Sequence, residues 1–513
     1  DRYIIGISQG GIGLDPEYYT KPNDQQKAVI AAYKSLNNDL FKMTGNDAAT
    51  AKKKMEAAFS IENQIAKVSY DQVKSRDPQA NYHPMTWDQF VKSYPGVDWN
   101  YLLKASGYPN NGGKVDVGQP EPVHEVEKIL ATAPLDALKA YMELAVISSS
   151  AGMLSDNFTD RNFEYKKVAY GVQQQQPRWK RALAFVQGIM GEAVGKLYVQ
   201  KYFPESSKQR MITLVKNLQD AFAQRIEENT WMTAATKKKA IEKLQAFDIK
   251  IGYPDKWQNM DSVFVIDDNK SLIENVKAVQ EAAMKYRIAK RWGKPVDKKE
   301  WHMTPQTVNA YYDPTTNSIN FPAAILQPPF FDPTVDDAAN YGAIGAVIGH
   351  EMSHGFDDQG CQFDKDGNMK NWWTEEDKKN YDARTKVLVD WFNKQEVIPG
   401  LYVNGEKTLG ENIGDNGGLN IAFRALENSM KTKPLSDMDG FTPAQRFFLA
   451  WGRVWASNVA PQFVAYIVNS DVHSPSISRV NAALPMIDNW YKAFDIKEGD
   501  KLFVPQQSRA HIW

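Results

Sequence analysis

Apolar side chains recur at helical spacing through the first half of the chain. Val29, Tyr33, Leu36 and Leu40 lie three or four residues apart, and Gly45 follows them. This pattern predicts an amphipathic helix that ends at the glycine. Further amphipathic helices are expected up to about residue 250, and a strongly charged helix over about 271–291. Residues 2–8 are predicted to form a strand, and the Gly- and Pro-rich residues 107–122 a loop.

The second half of the chain contains a different pattern. Residues 306–321 alternate on both sides of residues 313–317, which predicts a β-hairpin. Residues 340–355 are apolar nearly all round and therefore predict a buried helix. Thr442 precedes Pro443, and Gln445 stands three positions after Thr442, so another helix is expected to begin there with a capping box.

The length, net charge and cysteine content of the chain limit the classes of protein to which it can belong. The chain has 513 residues, which predicts two or more lobes. Its net charge of −1 gives no reason to expect a nucleic-acid or anionic-membrane partner. No apolar run reaches the roughly 18 residues that span a bilayer. The single cysteine, Cys361, excludes an internal disulfide framework.

The predicted buried helix contains the pattern His-Glu-x-x-His. His350 and His354 are four positions apart and therefore share one helical face, where they can hold one metal ion. Glu351 points beside that pair. Polar groups inside a buried helix are costly unless something pairs with them. Zinc suits this pattern because it accepts imidazole nitrogen and keeps an open position for water.

A third metal ligand has to come from elsewhere in the chain. The long pattern with a third histidine fails, because position 357 is Asp and position 360 is Gly. Glu411 and Asp415 are again four positions apart, at the start of another predicted helix. One of the two carboxylates would bind the metal and the other would orient a ligand histidine. The alternative is a solvated acidic first turn, which the helix dipole also favours.

These motifs together resemble the neprilysin and endothelin-converting enzyme family of zinc metallopeptidases. The resemblance rests on His350–His354 with Glu411–Asp415, and extends from the first residues to Trp513. It includes residues 308–312, which resemble the substrate-binding edge strand, and residues 321–331, which resemble the run before the zinc helix. It also includes residues 471–475, followed by Arg479, which resemble the transition-state segment.

The resemblance implies a fold. It is mainly α with small β-sheets and has two lobes: a thermolysin-like zincin catalytic domain and an all-helical lid domain that encloses the active site. The lid is expected over residues 1–95 and 273–303, and the catalytic domain over residues 96–272 and 304–513.

The resemblance also implies roles for individual residues. One Zn²⁺ per chain would be bound by His350, His354 and Glu411. Catalysis would use Glu351 as general base and His473 as the donor to the oxyanion. Asp415 would orient His350, Asp357 would orient His354, and Asp471 would orient His473. Substrate would be held at its main chain by Asn309 and Ala310 and at a carbonyl by Arg479. The pocket for the residue after the scissile bond would be lined by Ile325, Phe330, Val347, Val454 and Trp455, and would be widened by Ala346.

The expected function is therefore that of a zinc-dependent endopeptidase that hydrolyses oligopeptides on the N-terminal side of hydrophobic residues. The reaction would use a zinc-activated water with Glu351 as the base. One alternative is an inactive relative that acts as a binding or adhesion protein, although no ligand or base is missing here. Another is a hydrolase that uses Cys361, which stands in no recognisable motif.

Location and partners follow from the same resemblance. Animal members are rich in disulfides, and the cysteine that they carry near the C-terminus is Ala510 here. This indicates an exported bacterial member in the periplasm or at the cell surface. Family members begin well before Tyr3. We therefore expect an N-terminal fragment that binds non-covalently as a separate chain and anchors the protein, in addition to peptide substrates.

Overall fold

The computed structural model describes residues 2–513 and is mostly helical. The α-helices in this part of the chain are α1 Pro16–Thr20, α2 Asp24–Met43, α3 Ala48–Val68, α4 Gln72–Arg76, α5 Trp87–Ser93, α6 Trp99–Ala105, α7 Pro120–Thr132, α8 Leu135–Ser150, α9 Asp156–Tyr170, α10 Arg178–Tyr202, α11 Glu205–Glu228, α12 Ala234–Gln245, α13 Leu272–Arg291, α14 Asp337–Asn340, α15 Ala346–His354, α16 Glu375–Phe392, α17 Leu409–Thr432, α18 Pro443–Val454, α19 Pro461–Ser470, α20 Ser476–Asn481 and α21 Asp488–Phe494.

The strands form three small sheets. They are β1 Ile5–Ile7, β2 Pro84–Thr86, β3 Lys114–Val117, β4 Asp248–Gly252, β5 Tyr311–Asp313, β6 Ser318–Pro322, β7 Glu396–Ile398 and β8 Leu401–Tyr402. The first sheet has the order β1-β3-β2, in which β1 and β3 are parallel. In the second, of order β4-β6-β5, β4 runs parallel to β6 and β5 antiparallel to it. The strands β7 and β8 form a separate hairpin.

The chain divides into two compact units, each made of two segments. The first unit comprises Asp1–Gln175 and Gln258–Asp297, and the second comprises Gln176–Trp257 and Lys298–Trp513. The expected boundary at residue 96 therefore differs from the observed one, because β3 pairs with β1 and β2 and keeps this region in the first unit. That sheet is an addition to the all-helical lobe that we expected.

Several hydrophobic clusters form the core of the first unit. Leu40 and Phe41 of α2 pack with Ala58 of α3 and Leu144 of α8. A second cluster, around Phe90, covers the sheet of β1, β3 and β2. The core of this unit is thus built mainly from helix pairs, with the short sheet packed beside them.

The second unit has one large hydrophobic core. It includes buried side chains from α15, α17, β4 and β6 and from the final residues of the chain. The helices α15 and α17 pack against each other along much of their length. Ile348 on α15 and Leu419 on α17 are fully buried there. This core therefore supports both helices on which the predicted metal ligands lie.

Most elements predicted from the pattern are present. The stripe from Val29 to Leu40 lies in α2, the charged helix is α13, and the hairpin is β5 with β6. Thr442 begins α18 with the predicted capping box. The buried segment 340–355 is helical, but a π-helical turn, Tyr341–Gly345, precedes α15.

The loop predicted over residues 107–122 is present only in part, over residues 107–113 and 118–119. This segment contains β3, the central strand of the first sheet, and the beginning of α7. Val115 and Val117 are fully buried on one face of β3, and such alternation favours a strand even beside glycines. Among residues 2–513, no helix is both long enough and apolar enough to cross a membrane.

Candidate active site

Small residues bring the two site helices, α15 and α17, into close contact. A Cβ atom added at Gly414 would lie 2.7 Å from the His350 ring, and one at Gly418 would lie 2.8 Å from the His350 backbone nitrogen. Gly349 on α15 is equally close to Gly418, since its Cβ would lie 2.9 Å from the Gly418 Cα. Glycine at these positions therefore lets α17 approach α15 closely enough for side chains of both helices to meet.

Three donor atoms converge where the two helices meet. His350 Nε2 lies 2.9 Å from His354 Nε2 and 3.1 Å from Glu411 Oε2. The distance from His354 Nε2 to Glu411 Oε2 is 3.6 Å. These three residues form a group that could hold a metal ion, and each offers one ligand atom. The two imidazoles come from one helix and the carboxylate from the other.

The chemistry of this donor set fits zinc. Two imidazole nitrogens and one carboxylate oxygen are a common ligand set for a catalytic zinc that keeps a further position open. The Glu411 Oε2 atom is buried and receives no hydrogen bond, although three imidazole nitrogens lie within 3.6 Å of it. A cation between these atoms would satisfy that carboxylate oxygen.

Protons compete with a metal for this position. Burial lowers the pKa of His350 and of His354, but the surrounding carboxylates outweigh burial and raise both pKa values. Burial raises the pKa of Glu411, and the imidazoles of His354 and His473 outweigh it and hold that pKa well below its usual value. Metal binding displaces protons from its ligands, so affinity falls as the pH falls.

His350 is oriented by a buried ion pair. Its Nδ1 atom lies 2.9 Å from Asp415 Oδ1, one turn after Glu411 on α17. Arg479 on α20 holds the same carboxylate with two bonds, from Nε to Oδ2 at 2.8 Å and from Nη2 to Oδ1 at 2.6 Å. Burial opposes both charges, but each partner stabilises the other, which lowers the pKa of Asp415 and raises that of Arg479. The ring of His350 thereby presents Nε2 to the ligand position.

His354 is oriented by a residue in its own turn. His354 Nδ1 lies 2.7 Å from Asp357 Oδ2. The other oxygen of Asp357 accepts the backbone N–H groups of Gln359 at 2.9 Å and Gly360 at 2.7 Å. Both histidines therefore have a carboxylate at Nδ1, which fixes the ring so that Nε2 faces the other candidate ligand atoms.

A buried lysine supports the turn that contains Asp357. Lys243 on α12 donates from Nζ to the carbonyl oxygens of Gly355, Gly360 and Phe363 at 2.6–2.7 Å. Burial lowers the pKa of Lys243 to about 7, although the nearby groups of Cys361, Asp357 and Asp364 act to raise it. Lys243 was not among the residues predicted from the sequence to belong to the site. Its signal is the spacing of the buried residues Thr236, Ala240, Lys243 and Leu244, which places Lys243 on the inward face of α12.

Glu351 is buried on α15 between the two histidines in sequence. Burial raises its pKa, and this effect prevails over the lowering by the imidazoles of His350 and His354. A carboxyl group with a raised pKa is a better proton acceptor near neutral pH than an exposed one. Its placement and its pKa both suit the predicted role as general base.

His473 also faces the ligand group. Its Nε2 atom lies 3.2 Å from Glu411 Oε2, and its Nδ1 atom lies 2.7 Å from Asp471 Oδ1. Burial raises the pKa of Asp471, but the hydrogen bonds from His473 outweigh it and lower that pKa. The predicted pair of Asp471 and His473 is therefore formed, with Nε2 directed to the site.

The predicted substrate-binding residues occupy two kinds of position. Asn309, which is exposed, and Ala310, which is buried, directly precede β5, the edge strand of its sheet. The pocket residues belong to the large core or pack against it: Ile325, Phe330, Val347, Val454 and Trp455. Ala346 is fully buried. The guanidinium carbon of Arg479 lies 3.8 Å from the centre of the Trp455 ring, so this tryptophan adjoins the ion pair of Arg479 and Asp415. That the remaining four residues line a pocket for a substrate side chain stays a prediction.

Cys361 is a poor nucleophile. Its thiol is buried, and burial raises its pKa to about 12. A thiol reacts through its thiolate, which is scarce near neutral pH when the pKa is raised. The alternative of a cysteine-dependent hydrolase therefore fails on the environment of the side chain.

Comparison with known proteins identifies the family. The model of the N-terminal region of peptidase family M13 matches residues 1–254, and the model of the peptidase region of the same family matches residues 309–510. The neutral endopeptidase of Lactobacillus helveticus is 34% identical over 97% of this chain and 75% of that protein. Human endothelin-converting enzyme 1 is 31% identical over 99% of this chain and 67% of that protein.

A solved structure agrees with both the fold and the family. The zinc metalloprotease ZMP1 of Mycobacterium tuberculosis, in complex with an inhibitor, superposes with a TM-score of 0.96 and 40% identity. The match covers 100% of this chain and 78% of that one. The chain therefore belongs to peptidase family M13, the family of neprilysin and the endothelin-converting enzymes, and is a metalloendopeptidase.

Proposed function

We propose that this metalloendopeptidase uses zinc, held by His350, His354 and Glu411, to hydrolyse oligopeptides on the N-terminal side of hydrophobic residues. The proposal rests on the convergence of His350 Nε2, His354 Nε2 and Glu411 Oε2. In both histidines a carboxylate binds Nδ1, on the opposite side of the ring from Nε2. When bound, zinc supplies Lewis acidity, which polarises a peptide carbonyl and makes water lose a proton near neutral pH.

The chain's own residues move the protons in the proposed reaction. The Glu351 carboxylate accepts a proton from the attacking water and then passes it to the leaving amine. His473, held by Asp471 at Nδ1, donates from Nε2 to the developing oxyanion. Losing one such donor costs about 2.7–4 kcal/mol of barrier. Asp415 and Asp357 keep the ligand rings in place and take no proton in this scheme.

Substrate recognition combines an exposed edge and an apolar pocket. Asn309 and Ala310 precede an edge strand, which can accept an extended peptide as an additional strand. Arg479 would grip a substrate carbonyl, although two of its guanidinium nitrogens already bind Asp415. Side-chain preference would come from Ile325, Phe330, Val347, Val454 and Trp455. The restriction to oligopeptides is part of the proposal and rests on the family resemblance.

A peptide library, digested with and without a chelator and analysed by mass spectrometry, tests this proposal. We expect chelator-sensitive cleavage before hydrophobic residues, with no loss of activity on thiol modification. Cleavage mainly before Asp or Lys, or rapid digestion of an intact folded protein, would contradict the proposed specificity. Activity that persists without bound metal would contradict the proposed cofactor.

The matched control is Glu351→Gln, which removes the base and leaves the ligands. It should retain zinc and lose about 10²–10⁴-fold in turnover, since general bases contribute that much. An inactive relative that serves only as a binding protein would show no turnover in either form. Loss of zinc together with activity would mean that Glu351 supports the metal instead of acting as the base.

An exported location, in the bacterial periplasm or at the cell surface, stays a prediction. The separate N-terminal chain also stays a prediction, and neither the relatives nor the described residues support it. Native mass spectrometry beside denaturing analysis tests it. A native, active species with the mass of the 58.0 kDa chain alone would contradict it.

A further inference from the structure

The pair of His473 and Asp471 is only partly buried, and Asp471 Oδ1 also accepts the backbone N–H of His473 at 2.8 Å. The two side chains are 41% and 43% exposed, and they lie in the short segment between α19 and α20. Two partly exposed side chains that bind each other gain little from their pairing and retain freedom to move together. Yet His473 Nε2 lies 3.2 Å from Glu411 Oε2 on α17, so something else must hold this segment against that helix.

The next residue in the segment is anchored in the protein interior. Ser474 is 3% exposed and donates from Oγ to Asn412 Oδ1 at 2.8 Å. Asn412 is 2% exposed and directly follows Glu411 on α17. The two neighbours Glu411 and Asn412 thus face the two neighbours His473 and Ser474.

Asn412 is itself held from the other side. Its Nδ2 group donates to Thr408 Oγ1 at 2.9 Å, and Thr408 Oγ1 donates to the Asn404 carbonyl oxygen at 2.9 Å. Nearby, Lys407 Nζ donates to the Val468 carbonyl oxygen in the last turn of α19. The beginning of α17 therefore binds both α19 and the segment that follows it. An amide suits position 412 because it accepts from one hydroxyl and donates to another.

We propose that Asn412 is a positioning residue that acts through Ser474 to set the place of His473 relative to Glu411. The inference rests on the proposed role of His473 as oxyanion donor. A buried polar chain with both ends satisfied defines a position far better than an exposed ion pair does. Misplacement of a catalytic group by about 1 Å can cost about 10²-fold in rate. The bond between Asn412 and Ser474 would then fix the distance between their neighbours, the metal ligand Glu411 and the oxyanion donor His473.

Steady-state kinetics of Asn412→Ala, Ser474→Ala, His473→Ala and the double variants tests the inference. We expect Ser474→Ala and Asn412→Ala to lower kcat about 10–100-fold, with KM and zinc affinity changed less than about twofold. In the His473→Ala background, either substitution should change kcat less than about twofold, because the group that they position is already gone.

The control is Asn428→Ala, a change at another asparagine of α17, which bonds Gln224 away from the site. It should leave kcat unchanged. Ser474→Ala, which removes one oxygen atom, serves as the readout if Asn412→Ala fails to fold.

The outcomes separate the inference from the proposed function. If His473→Ala lowers kcat but Ser474→Ala does not, the positioning role is wrong and the role of His473 stands. If Ser474→Ala lowers kcat equally with and without His473, its effect does not pass through His473 and the inference is wrong. If His473→Ala leaves kcat unchanged, both are wrong.

Discussion

The two candidate ligand histidines, His350 and His354, lie one helical turn apart, yet different interactions orient them. His354 depends on Asp357, three residues later, whose second oxygen accepts two backbone N–H groups. His350 depends on Asp415, 65 positions away on α17, which Arg479 on α20 holds with two bonds. The Asp357 carboxylate is held by neutral amides of its own turn, and the Asp415 carboxylate is held by a buried ion pair with a distant part of the chain.

The same task, orienting a histidine ring through Nδ1, is thus performed by two interactions with different energies. Each histidine receives a carboxylate at Nδ1, so both carboxylates should contribute similarly to metal affinity. Their contributions to folding should differ. Removal of one member of a buried ion pair leaves an unpaired charge, whereas removal of an acceptor from backbone amides leaves only neutral donors unsatisfied, which costs less. Metal affinity and stability should therefore be separable at these two positions.

The largest effect is expected for Asp415→Ala. It leaves the Arg479 guanidinium buried without its partner, which should cost about 3–5 kcal/mol in the free energy of unfolding of the metal-free protein. Zinc affinity should fall about 10–100-fold. Urea unfolding and a competitive chelator titration measure the two quantities. Unchanged stability would show that the ion pair is not a structural support, and unchanged affinity would remove Asp415 from the metal site.

A smaller loss of stability is expected for Asp357→Ala, with a similar loss of metal affinity. Zinc affinity should again fall about 10–100-fold, because His354 loses the group that fixes its ring. The free energy of unfolding should fall by only about 1–3 kcal/mol, the cost of unsatisfied amides. The same two measurements apply. A stability loss as large as that of Asp415→Ala would abolish the contrast between the two supports.

The smallest effect is an interaction energy. Arg479→Leu combined with Asp415→Ala should show coupling of about 0.5–3 kcal/mol in the unfolding of the metal-free protein, because the two residues bond directly. Arg479→Leu combined with Asp357→Ala should be additive to within about 0.5 kcal/mol, since these two share no bond. Two double-mutant cycles, built from the three single variants, the two double variants and the unsubstituted protein, measure both coupling energies. Equal coupling in the two cycles would mean that the supports form one network.

The local geometry of the candidate site is the part that could be predicted from the sequence. His350, Glu351 and His354 need only a helix, and the spacing of apolar residues around them predicts one. The capping box at Thr442 and the hairpin of β5 and β6 are likewise local, and both are present. The loop expected over residues 107–122 did not anticipate β3, because this strand gains its stability from β1 and β2, which lie far away in the sequence.

The residues that reasoning from the sequence did not supply act over long distances. Nothing near Lys243 in the sequence shows that its ammonium meets the carbonyl oxygens of Gly355, Gly360 and Phe363. The bond between Ser474 and Asn412 joins residues 62 positions apart, and either residue alone reads as an ordinary polar side chain. The role of Arg479 in holding Asp415 is of the same kind.

The residue types that can hold a metal, and the helices that present them, follow from the sequence alone, because the spacing of side chains along a helix is a local property of the backbone. The family also follows from the sequence, through motifs that are specific in combination. The contacts of Glu411 with His350, of Asp415 with Arg479 and of Ser474 with Asn412 are visible only in the tertiary structure. These contacts depend on the close packing of α17 on α15 and on the approach of α20. This packing depends on the whole hydrophobic core, because the two partners of each contact lie in segments that are distant in the sequence.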